Sequence, residues 1–61
     1  MLNFLICGIA GHMGGNILEL LKDDGEARAA CGVDVRMPEN FAGKVFPSFG
    51  EVDENVDAVI D

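Results

Sequence analysis

The 61 residues predict an α/β fold, part of a doubly wound parallel sheet in the order strand, helix, strand, short helix, strand. Nearly continuous apolar segments, typical of strands covered on both faces, alternate with one long segment of helical periodicity. Glycines separate the first apolar segment from the helical one, where a strand-to-helix turn is expected. Because the sequence encodes a single helix of full length, we expect an incomplete sheet that associates with itself or is weakly stable.

The first two elements are a strand and an amphipathic helix. Residues 2–7 are nearly all apolar and predict the strand. Residues 12–23 predict the helix, whose apolar stripe comprises Met13, Ile17, Leu20 and Leu21. Gly25 follows in the sequence KDDG and is expected to end the helix in a left-handed conformation.

The next elements are two strands joined by a loop. Residues 27–35 predict a second strand of small and β-branched side chains, with Asp34 near its carboxyl end. The Pro, Asn and Gly content of residues 36–44 predicts a loop. Val45 and Phe46 are expected to add a short strand.

The last part of the chain predicts a short helix and a final strand. Ser48 precedes Glu51 by three positions, which is the spacing of a capping box at a helix start. The closing DAVID, residues 57–61, predicts an apolar strand.

Composition and charge exclude several kinds of partner. Four Lys and Arg stand against 11 Asp and Glu, a formal charge of −7. This balance argues against nucleic acid and anionic membranes, although backbone N–H groups can still form a local anion site. No basic segment precedes the apolar start, and no stretch approaches the ~18 apolar residues of a membrane span. Cys7 and Cys31 lack metal or redox spacing and are expected as buried, reduced thiols of a cytoplasmic protein.

Three glycines define the candidate binding segment, residues 8–14, called the glycine loop below. Gly8, Gly11 and Gly14 are spaced G-x-x-G-x-x-G between the predicted strand and helix. Gly8 permits a tight turn, Gly11 removes a Cβ that would block a pyrophosphate, and Gly14 lets the helix pack closely on the strand. The amides after Gly11 then meet the phosphate at the helix N-terminus.

Two charged residues follow at the end of the second strand. Asp34, 20 residues after Gly14, is positioned to accept hydrogen bonds from an adenosine ribose 2′-OH and to repel a 2′-phosphate. Arg36 is able to bind that phosphate, so the choice between NAD and NADP stays open.

His12 and Met13 begin the helix. His12 can place positive charge beside the pyrophosphate, whereas the Met13 side chain is assigned to the core and only its amide to the ligand. The sequence contains no paired carboxylates, Ser–His–Asp or Cys–His arrangement, or metal spacing. It therefore predicts binding, with no catalytic or metal-binding residue.

The stretch LICGIAGHMGGNILELL, residues 5–21, resembles the N-terminal G-x-x-G-[KR]-M-G signature of dihydrodipicolinate reductases (4-hydroxy-tetrahydrodipicolinate reductases) of diaminopimelate and lysine biosynthesis. The resemblance continues through ACGVDV, FPSFGEV and DAVID, and covers essentially the whole chain. Met13 followed by Gly14 discriminates most, because most nucleotide-binding loops do not specify methionine there. His12 stands where the family commonly has Lys or Arg, which leaves the preference for NADPH open.

The resemblance implies a Rossmann-type domain that binds NADH or NADPH and an enzyme that transfers hydride to a cyclic imine dicarboxylate. Residues 1–61 correspond to the first part of the cofactor domain; the substrate and catalytic segments belong to a later domain, so this segment alone is expected to be inactive. The full-length enzyme is expected to be a homo-oligomer. The predicted cofactor-binding residues are Gly8, Ile9, Ala10, Gly11, His12, Met13, Gly14, Asp34 and Arg36. Two alternatives stay open: the cofactor segment of another Rossmann oxidoreductase or epimerase, and a nucleotide-sensing module without a reaction.

Overall fold

In the computed structural model, which describes residues 1–39 and 41–61, four parallel strands form one sheet in the order β3-β2-β1-β4. The elements are β1 (Leu2–Cys7), α1 (His12–Lys22), β2 (Ala27–Val33), β3 (Lys44–Phe46), a 3₁₀ turn (Phe49–Glu51) and β4 (Ala58–Ile60). The predicted α/β class and element order are thus confirmed, including the short strand at Val45 and Phe46. The placement of β1 between β2 and β4 matches half of a doubly wound sheet.

Adjacent residues of β1 contribute to hydrophobic cores on opposite faces of the sheet. Ile6 is buried with Ile9 and Leu18 on the face that α1 covers. Leu5 is buried on the opposite face, in a cluster completed by Cys31, Val33, Phe46, Val52 and Val56. Burial on both sides explains why the strand reads as a continuous apolar run instead of alternating with polar residues.

The buried side of α1 differs from the predicted stripe. Leu18 is 4% exposed, whereas Leu20 is 75% and Met13 is 70% exposed. Ile17 and Leu21 pack against the core as predicted. The close approach of Gly14 to Ile9 turns the helix so that Gly14 and Leu18, four residues apart, face the sheet. The side chains of Met13 and Leu20 are therefore exposed to solvent.

The predicted left-handed end of α1 at Gly25 is wrong, because Gly8 is the glycine with a positive φ in the described part of the chain. The helix ends at Lys22, and the Asp24 N–H donates to the Leu21 carbonyl at 3.2 Å. The Asp24 side chain then accepts the Glu26 N–H at 2.7 Å. This side-chain turn reverses the chain without a left-handed residue.

Two further boundaries differ from the predictions. β2 ends at Val33, two residues early, because the Asp34 carboxylate accepts the Arg36 N–H at 3.1 Å and bends the chain. The predicted capping box at Ser48 does not form, because the Glu51 N–H donates to the Ser48 carbonyl instead of the side chain.

None of the helices in the described part of the chain has the length and apolarity that a bilayer crossing requires.

Candidate functional site

The turn that follows β1 depends on Gly8. Its φ of +68° lies in the left-handed region, which costs a residue with a Cβ about 1–2 kcal/mol. The Gly8 N–H donates to the Val33 carbonyl at 2.8 Å, which holds the start of the turn to the end of β2. The Gly11 N–H then donates to the Gly8 carbonyl at 2.9 Å and closes the turn. The predicted role of Gly8 as the turn residue is confirmed.

The N-terminus of α1 carries free amide donors. Gly11 is the N-cap residue, and no side chain caps the helix. None of the residues described accepts a hydrogen bond from the N–H groups of His12, Met13 and Gly14, whereas the Gly15 N–H donates to the Gly11 carbonyl. The first turn also lacks an acidic side chain. These amides, together with the helix dipole, attract a negatively charged group.

The glycine loop lies at the point of the sheet where the strand order reverses. β1 pairs with β2 on one side and β4 on the other, and the loop leaves the carboxyl end of β1. In open α/β sheets, ligands bind in the crevice outside the carboxyl ends of the strands at such a reversal.

Gly14 and Gly11 permit two different close approaches. A Cβ built on Gly14 would lie 2.7 Å from the Ile9 Cα, so the helix packs closely on the turn that follows β1, where the prediction had placed the contact on the strand itself. A Cβ on Gly11 would lie 3.3 Å from the Gly8 carbonyl oxygen, which is tight but not prohibitive. Gly14 is therefore required by the fold, whereas a Cβ on Gly11 would need only a small shift of the Gly8 carbonyl.

The carboxylate of Asp34 connects β2 to the glycine loop. Its Oδ2 accepts the Ala10 N–H at 3.0 Å, and its side chain is 10% exposed. Hydrogen bonds from the Arg36 N–H and then the Ala10 N–H hold the pKa of Asp34 below its usual value. The Arg36 side chain is 70% exposed, with Nε 3.9 Å from Asp34 Oδ1. Asp34 is thus an anion held by backbone donors, and Arg36 is an exposed cation beside it.

A cleft of about 500 Å³ opens between the first half of α1 and the segment after β2. Its walls come from the glycine loop, the polar side of the helix and the segment after Asp34. The lining residues are Ile9, Ala10, Gly11, His12, Gly15, Asn16, Leu18, Glu19, Arg36, Met37, Pro38 and Glu39. This volume lies within the range of about 300–1,000 Å³ that is typical of small-molecule sites.

The structure brings only some of the predicted site residues to the cleft. Ala10, Gly11, His12 and Arg36 line it, as does Ile9. The Ile9 side chain is nevertheless fully buried in the core, so its contribution to a ligand is limited to the backbone. The predicted core position of the Met13 side chain is wrong, because this side chain is exposed on the flank of α1.

Several cleft residues were missed from the sequence. Glu19 and Asn16 are polar residues of α1 outside the predicted apolar stripe, to which no binding role was assigned. Met37, Pro38 and Glu39 follow Asp34 in a segment predicted only as a loop. The sequence signal for these three residues is that they follow closely after Asp34 at the carboxyl end of β2, because segments after strand ends border ligand sites in α/β folds.

In the part of the chain that the structure describes, the thiols and acidic side chains form no second candidate site. Cys7 and Cys31 are unpaired, and burial is the main cause that raises the pKa of each thiol. Among residues 1–39 and 41–61, no cluster of His, Cys, Asp and Glu is arranged to hold a metal ion.

Comparison with known protein families, curated proteins and solved structures found no match to this chain.

Proposed function

We propose that the chain is the NAD(P)H-binding segment of a dihydrodipicolinate reductase, a cytoplasmic enzyme that reduces a cyclic imine dicarboxylate. The observation that carries the binding proposal is the uncapped N-terminus of α1, where the amides of His12, Met13 and Gly14 have no described acceptor. The assignment to this reductase rests on the sequence resemblance, above all on Met13 followed by Gly14.

The pyrophosphate of a dinucleotide has the chemistry that this N-terminus favours. Its negative charge interacts with the helix dipole, and its oxygens accept hydrogen bonds from amides. Gly11 presents no Cβ in front of these amides, so a phosphate has room to reach the backbone. Because the donors are backbone groups, the chain can bind an anion despite its charge of −7.

The cleft beside Arg36 suits the adenosine half of the cofactor. It adjoins both the glycine loop and the segment after β2, the two regions that hold the pyrophosphate and the ribose in dinucleotide folds. Its charged walls are the carboxylates of Glu39 and of Glu19, the latter paired with Lys22 at 3.1 Å, and the guanidinium of Arg36. Asp34 lies beside that guanidinium. We therefore propose that NADH binds more tightly than NADPH, because an added 2′-phosphate meets more anions than cations.

The residues of this chain bind and orient the cofactor. The loop amides hold the pyrophosphate, and the cleft holds the adenosine. When bound, the dihydronicotinamide supplies the hydride. None of residues 1–61 is proposed as a proton donor to the substrate.

Calorimetric titration of the 61-residue chain with NADH, NADPH and ADP-ribose tests the proposal. We expect NADH and ADP-ribose to bind, and NADPH to bind more weakly. Gly11→Val should abolish binding, because its side chain adds bulk beside the first amides of α1 and crowds the Gly8 carbonyl oxygen, 3.3 Å from the Cβ position. Gly25→Val, at an exposed site in the turn beyond the C-terminal end of α1, is the matched control and should bind like the parent. Equal binding by Gly11→Val and the parent would contradict the proposal.

A further inference from the structure

Asp34 makes a long-range contact that a ribose-binding carboxylate does not need. Its Oδ2 accepts the N–H of Ala10, which is 24 residues away in the sequence, at 3.0 Å. Its Oδ1 accepts the Arg36 N–H at 3.1 Å. With both oxygens held by backbone donors and only 10% of the side chain exposed, the carboxylate has a fixed orientation toward the glycine loop.

The Ala10 bond affects the shape of the glycine loop. Gly8 and Gly11 are joined by a backbone hydrogen bond, and Gly8 is tied to Val33 of β2. Ala10 lies inside this turn, and Asp34 is the acceptor that the structure gives for its N–H. Without that acceptor, a half-buried N–H loses its partner, which costs free energy and favours a different loop conformation.

We propose that Asp34 is a positioning residue, whose carboxylate holds the Ala10 N–H and thereby keeps the glycine loop in the shape that leaves the amides of His12 to Gly14 free for a phosphate. The effect on ligands rests on the proposed function. The effect on the loop does not, because it concerns the protein alone.

A positioning role and a direct ribose contact predict different effects of the ribose 2′-OH on how much an Asp34 variant weakens nucleotide binding. A carboxylate that only accepts the ribose 2′-OH would matter for ADP but not for 2′-deoxy-ADP. A carboxylate that shapes the loop would matter equally for both, because both carry the same pyrophosphate. Comparison of the two nucleotides therefore separates the roles.

Three variants provide the test. Asp34→Ala removes the acceptor, whereas Asp34→Asn keeps one oxygen of the same reach and loses the charge. Asp24→Ala is the matched control, because the Asp24 carboxylate also accepts a backbone N–H, that of Glu26 at 2.7 Å, in a turn outside the glycine loop. Binding of ADP and 2′-deoxy-ADP is measured for each variant by calorimetry.

We expect Asp34→Ala to weaken ADP and 2′-deoxy-ADP by the same factor, about tenfold or more. Asp34→Asn should weaken both less than Asp34→Ala does, and Asp24→Ala should leave both unchanged. Weakening of ADP alone would overturn the proposal and assign Asp34 to the ribose.

An NMR titration tests the contact without any nucleotide. The amide proton of Ala10 should shift as the Asp34 carboxyl takes up a proton, at a pH below the usual range for aspartate, and this shift should be absent from Asp34→Asn. The charged and ionisable neighbours of Asp34 are the Arg36 guanidinium and the Cys7 thiol, and the Asp61 carboxyl faces the same thiol.

This titration also separates the two proposals. If the parent binds neither nucleotide, the proposed function fails, and the Ala10 signal decides the role of Asp34 in the loop. An Ala10 amide that follows the carboxyl supports that role, and one that does not follow it overturns the role.

Discussion

The backbone of α1 at Gly14 lies against Ile9 so closely that a Cβ on Gly14 would stand 2.7 Å from the Ile9 Cα and 2.9 Å from its carbonyl carbon. Both of these atoms belong to the backbone, so a side-chain rotation cannot relieve the overlap. The contact fixes the orientation of α1 relative to the end of β1. It thereby determines where the first amides of the helix point. The fold and the candidate site thus share one structural requirement.

Gly14→Ala should therefore destabilise the protein, by about 1–3 kcal/mol or more, because the helix and the turn after β1 must separate to admit one methyl group. Gly15→Ala is the matched control, since a Cβ there meets no atom within 4 Å. The control should be neutral or gain up to about 1 kcal/mol from better helix propensity. Urea unfolding followed by circular dichroism measures both, and equal stabilities for the two variants would contradict the packing described.

Gly8→Ala should cost about 1–2 kcal/mol, because alanine is strained at a φ of +68° even though space for its Cβ exists. Gly8→Asn should recover part of this loss, since asparagine tolerates the left-handed region better. Gly25→Ala, at an exposed glycine without a positive φ, should change the free energy of unfolding by less than about 0.5 kcal/mol. Thermal unfolding of the three variants measures the difference, and a loss that Gly25→Ala shares would mean that φ at Gly8 is not its cause.

Leu18→Ala and Leu20→Ala should differ widely, although both remove the same atoms from one helix. Leu18 is 4% exposed, so its truncation should cost about 2–5 kcal/mol, enough to unfold a small domain. Leu20 is 75% exposed, and its truncation should cost less than about 0.5 kcal/mol. Circular dichroism at 25 °C measures whether each of the two variants is folded. A folded Leu18→Ala beside an unfolded Leu20→Ala would restore the apolar stripe that the sequence predicted.

Acid should remove the stabilisation that Asp34 provides. The hydrogen bonds from Arg36 and Ala10 lower the pKa of Asp34 in the folded state, so its contribution is complete above the unfolded pKa of about 3.9. The contribution is lost as the pH falls through the lower folded pKa. Parent and Asp34→Asn should therefore differ most in free energy of unfolding near neutral pH and converge in acid. Urea unfolding at a series of pH values measures this, and a difference that stays constant down to about pH 2 would contradict it.

The sequence predicted the strands and the turn residue because each has a strong local cause. Residues 2–7 form an apolar run, and Gly8 and Gly14 stand where a strand meets a helix. The buried side of α1 was not predictable from periodicity, because Leu18 and Leu20 are equally apolar. The contact between Gly14 and Ile9 decides between them, and this contact is a property of the packed fold.

The candidate site was predictable in the glycine loop but not in the cleft. The spacing of the glycines and the position of Asp34 depend on the order strand, turn, helix, strand, which the sequence encodes locally. The bond from Ala10 to Asp34 spans 24 residues and depends on the pairing of β1 with β2. The contributions of Glu19 and Glu39 likewise depend on how α1 faces the segment after β2.

An NMR titration of the isotope-labelled chain with NADH tests the central claim, that the N-terminus of α1 binds the pyrophosphate of a dinucleotide. We expect the largest shifts at the amides of His12, Met13 and Gly14, with smaller shifts along the cleft at Arg36. Shifts confined to the groove of about 350 Å³ beside Phe41, which lies away from the glycine loop, or no shifts at millimolar NADH, would contradict it.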